Sequence, residues 1–214
     1  MIPAVSDHGE RTGPMALTAT VGADAPPAIP AVPDVAERVG RLAALLAFDE
    51  RLLVAARRLH GPGRTRLARA LTRAGDTSSW VMVVLALLAA GSPVAALGVR
   101  IGAATVLGTL LSQALKRGLH RPRPDSAITG FEALAENPDR FSFPSGHTTA
   151  AFAAAVALAG APSGLGPAAL VLASGIGLSR VYLGAHYPLD VAVGAVLGAA
   201  SGGAARLALS LAGF

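Results

Sequence analysis

The sequence predicts an all-α fold: a membrane-embedded helical bundle with about five transmembrane helices and basic amphipathic interfacial helices before them. Hydrophobic residues make up 52% of the 214 residues and charged residues only 14%, whereas a soluble domain usually carries about 25% charged residues. Long apolar runs, rich in alanine and glycine, alternate with short segments that contain proline, glycine and basic residues. Because so little polar surface is available, we expect a membrane protein.

Composition divides the chain into three segments. Residues 1–33 contain six prolines among small residues and no apolar period, which predicts a disordered Pro/Ala-rich tail and not a signal peptide. Residues 34–76 contain two basic amphipathic patterns, at 34–60 and 65–74, which we expect to form helices in the membrane interface. For the first pattern alone, a solvated helical hairpin packed on a neighbour is an equally good interpretation. Residues 77–214 contain the apolar runs and form the transmembrane domain.

The apolar runs predict the transmembrane helices in order. Several runs are shorter than the roughly 20 residues that a bilayer span prefers, but each can extend into its flanking residues. Glycine and alanine recur at spacings of three and four, as at Gly194, Gly198 and Gly202, which permits close contact between helices. The runs are residues 79–90, 94–115, 147–161, 167–178 and 189–211.

Cysteine content and charge exclude several classes of function. The absence of cysteine excludes disulfides, thiolate metal sites and cysteine nucleophiles. The formal net charge is +5, the basic residues flank the apolar runs, and aromatic residues make up only 4% of the chain. This pattern disfavours nucleic acid as a partner and favours the membrane bilayer and a phosphorylated substrate.

Residues 141–149, Phe-Ser-Phe-Pro-Ser-Gly-His-Thr-Thr, predict the start of a helix between a polar loop and the third apolar run. Ser145 can cap that helix, and Gly146 allows the backbone to approach a ligand closely. The first turn of a helix also has unpaired amide N–H groups that carry partial positive charge. We therefore expect an anion site at this point, with His147 directly in it.

The predicted topology brings three polar clusters to one face of the bundle. If successive spans alternate in direction, the second span ends near Lys116 on the face where the third span begins at Ser145. The fourth span ends near Arg180 on the same face, and the fifth begins near His186. Taken singly, each cluster has an ordinary structural explanation: a basic membrane flank, a structural histidine, or a His–Asp pair on a helix. Their convergence on one face favours a functional site.

The converging side chains suit phosphoryl transfer. Lys116, Arg123 and Arg180 supply three cations, and the two guanidinium groups match the geometry of phosphate oxygens. Two histidines allow one imidazole to attack phosphorus while the other protonates the leaving oxygen and later activates water. An attacking imidazole needs an acceptor at its far nitrogen, and Asp190, four residues after His186, is placed to supply it.

These clusters resemble the three signature motifs of the type 2 phosphatidic acid phosphatase (PAP2) superfamily, in its membrane lipid phosphatase branch. Every signature position is filled, in order and with the family's spacings, across residues 75–210. The matching residues are Lys116-(six residues)-Arg123-Pro124, then Pro144-Ser145-Gly146-His147, then Ser179-Arg180-(five residues)-His186-(three residues)-Asp190.

The resemblance implies a role for each matching residue. His186 would be the nucleophile that forms a phosphohistidine, Asp190 would orient it, and His147 would be the general acid for the leaving group. The resemblance also implies that the phosphate is bound by Lys116, Arg123, Ser145, Gly146 and Arg180. It implies catalysis without a metal or another cofactor, and the loop acids show no ligand-like grouping: Asp125, Glu132, Glu136 and Asp139.

The reaction that the resemblance implies is removal of the terminal phosphate from a membrane lipid phosphate or diphosphate by residues 77–214. Polyprenyl-linked phosphates, undecaprenyl diphosphate and phosphatidic acid are all suitable substrates. The alternatives are a phosphotransferase or a vanadium haloperoxidase-like use of the same pocket, and a non-catalytic membrane scaffold. The apolar spans argue against haloperoxidase activity, because the haloperoxidases of this family are soluble.

The distribution of basic residues and the family resemblance predict opposite membrane faces for the site. We expect a multi-pass protein of the cell membrane. With the three cations of the site left out, the active-site side carries twelve basic residues and the opposite side two, Arg100 and Arg206. By the positive-inside rule this count favours a cytoplasmic site. The resemblance to lipid phosphatases implies the extracytoplasmic face instead.

Overall fold

The computed structural model describes residues 35–136, 139–161 and 164–213. The predicted tail at residues 1–33 lies outside the described residues. Within the described ranges the chain is helical apart from loops and one isolated β-bridge between Pro122 and Phe141, and the prediction of an all-α bundle is confirmed. The α-helices of these ranges are α1 (Val35–Ala56), α2 (Pro62–Ala74), α3 (Thr77–Ala89), α4 (Val94–Leu119), α5 (Pro124–Ala127), α6 (Gly146–Ala157), α7 (Leu165–Tyr182) and α8 (Pro188–Leu211).

The two basic amphipathic patterns form α1 and α2. A short 3₁₀ turn, Arg57–Leu59, follows α1. The second helix begins at Pro62 and not at residue 65 as predicted, because proline lacks an N–H and has a fixed φ that suits the first helical position. Helix α2 packs against α7, where the side chain of Leu71 covers Gly175.

Most of the apolar side chains of α1 are exposed. Leu42, Phe48 and Leu52 are among them, whereas Leu53 is buried in a cluster with Phe131. An exposed apolar surface on a helix that also carries several arginines is the arrangement that a helix lying in a membrane interface needs. The interfacial position of α1 and α2 stays a prediction, and this surface supports it.

Each apolar run forms one helix: α3, α4, α6, α7 and α8. In the described part of the chain, α4, α7 and α8 are long and apolar enough to cross a membrane. Helices α3 and α6 have 13 and 12 residues, below the roughly 20 that a span prefers. Helix α6 lies at the centre of the bundle, packed against α4, α7 and α8, and most of its residues are buried.

Helices α6 and α8 approach each other through glycines. A Cβ atom added to Gly194, Gly198 or Gly202 would lie 2.8, 2.3 or 2.5 Å from a carbonyl oxygen of the chain at Ser145, Thr149 or Ala153, respectively. Helix α8 therefore lies with its backbone directly against α6, as the glycine spacing predicts. This contact places the N-terminal end of α8 beside the N-terminal end of α6.

Gly198→Ala tests this contact. The added Cβ would lie 2.3 Å from the Thr149 carbonyl oxygen, so the two helices would have to move apart. We expect the free energy of unfolding to fall by about 1–3 kcal/mol, measured as a lower Tm in detergent. The matched control is Gly203→Ala on the same helix, where nothing lies within 4 Å and the higher helix propensity of alanine should preserve stability. Equal Tm values for the two variants would contradict the packing described.

Candidate active site

The three predicted clusters meet around one cavity, here called the central cavity. Its volume is about 120 Å³. The C-terminal ends of α4 and α7 reach it from one direction, and the N-terminal ends of α6 and α8 lie beside it. Ser145 and Asp190 do not line it but are fully buried behind it. The other predicted site residues line it: Lys116, Arg123, Gly146, His147, Arg180 and His186.

Three buried cations surround the central cavity. Lys116 and Arg180 lie in the last turns of α4 and α7. The Arg180 guanidinium donates to Thr72 Oγ1 at 2.6 Å, and the Arg123 guanidinium donates to the Ala185 carbonyl oxygen at 2.7 Å. These bonds fix the positions of the two guanidinium groups. An anion with several negative charges would be strongly attracted to this arrangement, because the surrounding bundle screens charges less than water does.

A carboxylate from the loop before α6 pairs with two of these cations. Asp139 accepts hydrogen bonds from the Lys116 ammonium and the Arg123 guanidinium. Burial raises the pKa of the Asp139 carboxyl, but the hydrogen bonds and charges of Lys116 and Arg123 outweigh burial and hold that pKa below its ordinary value. Asp139 is therefore ionised at neutral pH. Sequence reasoning missed its role, because only the folded loop brings Asp139 to the cavity.

His186 lies between the central cavity and Asp190. Its Nε2 atom is 3.3 Å from a guanidinium nitrogen of Arg123, and its Nδ1 atom is 3.5 Å from Asp190 Oδ2. Complete burial, together with the charges of Arg123, Arg180 and Lys116, lowers the pKa of His186 well below its ordinary value. The imidazole is therefore neutral at neutral pH and keeps a lone pair on one ring nitrogen.

Both carboxylate oxygens of Asp190 accept hydrogen bonds. The Tyr187 amide donates to Asp190 Oδ2 at 3.0 Å, which forms part of a capping box at the start of α8. Arg121 donates to Asp190 Oδ1 at 2.6 Å and to Asp49 Oδ2 on α1 at 2.7 Å. Sequence reasoning missed Arg121 and Asp49, because a basic residue near a span and an acid on an amphipathic helix are ordinary features.

The N-terminus of α6 forms as predicted, with one difference. Ser145 is the N-cap residue, but its hydroxyl makes no capping bond and instead accepts a hydrogen bond from Thr148 Oγ1 at 3.0 Å. The backbone amide of Ser145 donates to the Asp190 carbonyl oxygen at 3.0 Å, which joins the two helix starts. A Cβ on Gly146 would lie 4.0 Å from Lys116 Nζ, so this glycine faces the central cavity.

His147 contacts an acid that sequence reasoning did not select. Its Nε2 atom is 2.8 Å from Oδ1 of Asp76, the residue before α3. Ser112 on α4 was also missed: it lines the central cavity, is buried, and its hydroxyl has no hydrogen-bond partner within the described ranges. Within those same ranges, no three His, Asp or Glu side chains are grouped as metal ligands.

Several concave regions adjoin the central cavity. A polar cavity of about 650 Å³ shares His147 and Arg180 with it and is also lined by Arg69, Arg73 and Glu136. An apolar groove of about 270 Å³, between α3 and α4, shares three lining residues with the central cavity: Thr77, Thr109 and Ala150. A ligand held in the central cavity can therefore extend into a polar space or into an apolar one.

Comparison with known families shows the superfamily of this chain. The model of the PAP2 superfamily matches residues 97–212, which is more than half of the chain. The protein belongs to the PAP2 superfamily. That match includes all three signature motifs, and the resemblance stated from the sequence is confirmed.

Relatives and solved structures agree with this membership. The decaprenylphosphoryl-5-phosphoribose phosphatase of Mycobacterium tuberculosis is 36% identical over 177 residues, 78% of this chain and 91% of the relative. The structure of a transmembrane PAP2-type phosphatidylglycerolphosphate phosphatase from Bacillus subtilis superposes with a TM-score of 0.67 and 26% sequence identity. The match covers 76% of this chain and 85% of the Bacillus subtilis chain. The structure of Aquifex aeolicus LpxE superposes with a TM-score of 0.63 and 27% sequence identity, and the match covers 72% of this chain and 92% of the LpxE chain.

Asp139→Asn is expected to tighten the binding of inorganic phosphate. The substitution removes the carboxylate that competes with phosphate for Lys116 and Arg123. We expect the Kd for phosphate to fall by roughly tenfold, which corresponds to about 1.4 kcal/mol, in calorimetric titrations at neutral pH in detergent. Asp125→Asn, at an exposed acid of α5 outside the central cavity, serves as the control. An unchanged or higher Kd in the Asp139 variant would contradict this competition.

Proposed function

We propose that this PAP2 protein is a metal-independent phosphatase that removes the terminal phosphate from a membrane lipid phosphate through a phosphohistidine intermediate. The position of His186 is the observation that carries the proposal. One ring nitrogen faces the three cations, the other faces Asp190 at 3.5 Å, and the imidazole is neutral. A neutral imidazole beside a concentrated positive charge is what attack on a phosphate requires.

Binding of the substrate phosphate would replace the Asp139 carboxylate. Lys116, Arg123 and Arg180 would then neutralise its oxygens, and the free amides of the first turn of α6, at Gly146 and His147, would add donors. The Ser112 hydroxyl supplies one more donor within the same cavity. These groups would also stabilise the charge on the equatorial oxygens in the transition state.

In the first half of the reaction, His186 Nε2 attacks phosphorus and the bond from phosphorus to the leaving oxygen breaks. His147 donates a proton to that oxygen, so the lipid leaves as an alcohol. The phosphohistidine ring carries positive charge, and Asp190 stabilises it through Nδ1. Because Arg121 and the Tyr187 amide hold Asp190, the carboxylate is already oriented before the reaction.

In the second half, water attacks phosphorus from the side that the leaving group has vacated. His147, now neutral, accepts a proton from that water. The bond between phosphorus and Nε2 breaks, which releases inorganic phosphate and restores neutral His186. Each histidine therefore returns to its starting protonation state.

The substrate class follows from what surrounds the leaving oxygen. His147 separates the central cavity from the polar cavity, which contains Arg69, Arg73 and Glu136. Arginines bind phosphodiester oxygens, and a carboxylate accepts hydrogen bonds from sugar hydroxyls. We therefore propose a polyprenyl-linked sugar phosphate, with the lipid chain in the apolar groove between α3 and α4. The name of the mycobacterial relative specifies decaprenylphosphoryl-5-phosphoribose, a lipid of this class.

Phosphate release from a panel of lipid phosphates tests the activity and the substrate class together. We expect purified protein in detergent to release phosphate without added metal, with higher kcat/KM for a polyprenyl-linked sugar phosphate than for undecaprenyl diphosphate or phosphatidic acid. His186→Ala should reduce release by at least about a thousandfold, because it removes the nucleophile. His120→Asn, at an exposed histidine outside the central cavity, should retain activity.

Three results of that panel would contradict the proposal. Absence of release from every lipid would indicate a scaffold. Phosphate transferred to an added alcohol in preference to water would indicate a phosphotransferase. Release that persists in the His186 variant would exclude the phosphohistidine route.

We also propose that the protein lies in the cell membrane with the active site on the cytoplasmic face, which the distribution of basic residues supports. Because the chain contains no cysteine, single cysteines can report the face. Ser92 is exposed between α3 and α4, and the 26 residues of α4 place it about 39 Å from the active-site end.

Ser92→Cys should therefore react with an impermeant thiol reagent added outside intact cells. Ala127→Cys, which is exposed on the active-site side, is the paired variant and should react only after the cells are opened. The reverse pattern of labelling would place the active site outside.

A further inference from the structure

Asp76 occupies a capping position without capping. It directly precedes α3 and is the N-cap residue, and aspartate is among the residues favoured there because its carboxylate accepts a bond from an N–H of the first turn. In this protein Asp76 makes no side-chain capping bond. Its Oδ1 atom lies 2.8 Å from His147 Nε2 instead. The Asp76 carboxylate therefore contacts His147 and does not cap α3.

The residue before Asp76 is a glycine, which leaves room for the His147 ring. Gly75 is buried, and a Cβ added there would lie 3.1 Å from His147 Cδ2 and 2.7 Å from Ile176 Cγ2. A side chain at position 75 would therefore displace the His147 ring or the wall of α7 behind it. His147 lies within the residues 97–212 that the PAP2 model matches, whereas Gly75 and Asp76 precede that range. The contact therefore joins the matched region to a segment outside it.

The charges around His147 give the contact a chemical role. His147 shares the central cavity with Lys116 and Arg180, so a proton on its ring adds positive charge near two cations. The Asp76 carboxylate lies next to the ring and offsets that repulsion. When Nε2 donates its hydrogen to Asp76, the remaining nitrogen, Nδ1, is the one that can deliver a proton to a leaving oxygen.

We propose that Asp76 is a positioning residue for His147: it holds the imidazole through Nε2 and stabilises its protonated state, so that Nδ1 protonates the leaving oxygen. The proposal rests on the phosphatase function proposed above. As the bond from phosphorus to oxygen breaks, the Nδ1 proton moves to that oxygen and the ring becomes neutral. Nδ1 later takes a proton from the attacking water, while Nε2–H remains bonded to Asp76 throughout.

Two substrates whose leaving groups differ in their need for a proton distinguish this role of Asp76 from a purely structural one. An alkyl phosphate needs a proton on its leaving oxygen, whereas p-nitrophenyl phosphate leaves as a stable phenolate. Asp76→Asn should lower kcat/KM for a lipid phosphate by roughly a hundredfold, the size of a general-acid contribution, and kcat/KM for p-nitrophenyl phosphate by less than about threefold. The measured quantity is kcat/KM because it reports the reaction up to departure of the leaving group and excludes the later attack of water, which is the same for both substrates. The ratio of the two rates in one preparation does not depend on how much of the variant folds.

Three further variants complete the experiment. Asp76→Glu should restore part of the lost rate on the lipid phosphate, and Glu132→Gln, at an exposed loop acid, should leave both rates unchanged. Because Asp76 acts through His147, Asp76→Asn should cause little further loss in a His147→Ala background.

Equal losses on both substrates, no loss on the lipid phosphate, or a full additional loss in the double variant would each overturn the role of Asp76. Failure of the phosphatase proposal is a different result: the wild-type protein would hydrolyse neither substrate, or the His186→Ala variant would hydrolyse both as the wild type does. That result would overturn both proposals together.

Discussion

The contact between α6 and α8 decides the geometry of the active site. Because Gly194, Gly198 and Gly202 carry no side chains, the backbone of α8 lies against carbonyl oxygens of α6. The starts of the two helices are then joined directly, through the Ser145 amide and the Asp190 carbonyl oxygen at 3.0 Å. His147 and His186 face one cavity as a consequence, although neither histidine belongs to the contact itself.

The central cavity also depends on a balance of charges. Several buried cations in an apolar bundle are costly unless acids accompany them. Arg121 is shared by Asp49 and Asp190, which are both buried, whereas Lys116 and Arg123 pair with Asp139, which is partly exposed. The first set holds the Asp190 carboxylate beside His186. In the proposed reaction, the substrate phosphate would replace Asp139 in the second set. The buried core would not change, because Asp139 lies on a loop beside the cavity.

The two histidines have different surroundings, and the difference matches their proposed roles. His186 is completely buried, and burial together with the nearby cations keeps it neutral, as a nucleophile must be. His147 lies at the boundary with the polar cavity and has the Asp76 carboxylate 2.8 Å away. The negative charge of Asp76 favours a proton on His147, which the proposed general-acid role needs.

Much of the fold followed from local patterns. Apolar runs predicted α3, α4, α6, α7 and α8, and glycine spacing predicted the close α6–α8 contact. Six of the residues that line the central cavity were predicted because alternating spans must return to the same face, whereas Ser112 and Asp139 were not. Helix boundaries were less accurate: the second helix begins at Pro62, three residues before its predicted start.

The sequence by itself determined the family and the residues of the signature motifs, because those residues stand at fixed spacings along the chain. Only the tertiary structure decided which acids accompany them. Asp49, Asp76 and Asp139 come from α1, from the turn before α3 and from the loop before α6. These acids do not stand at a recognisable sequence spacing from the cations and the histidine that they contact. Helix packing and loop folding bring the partners together in space.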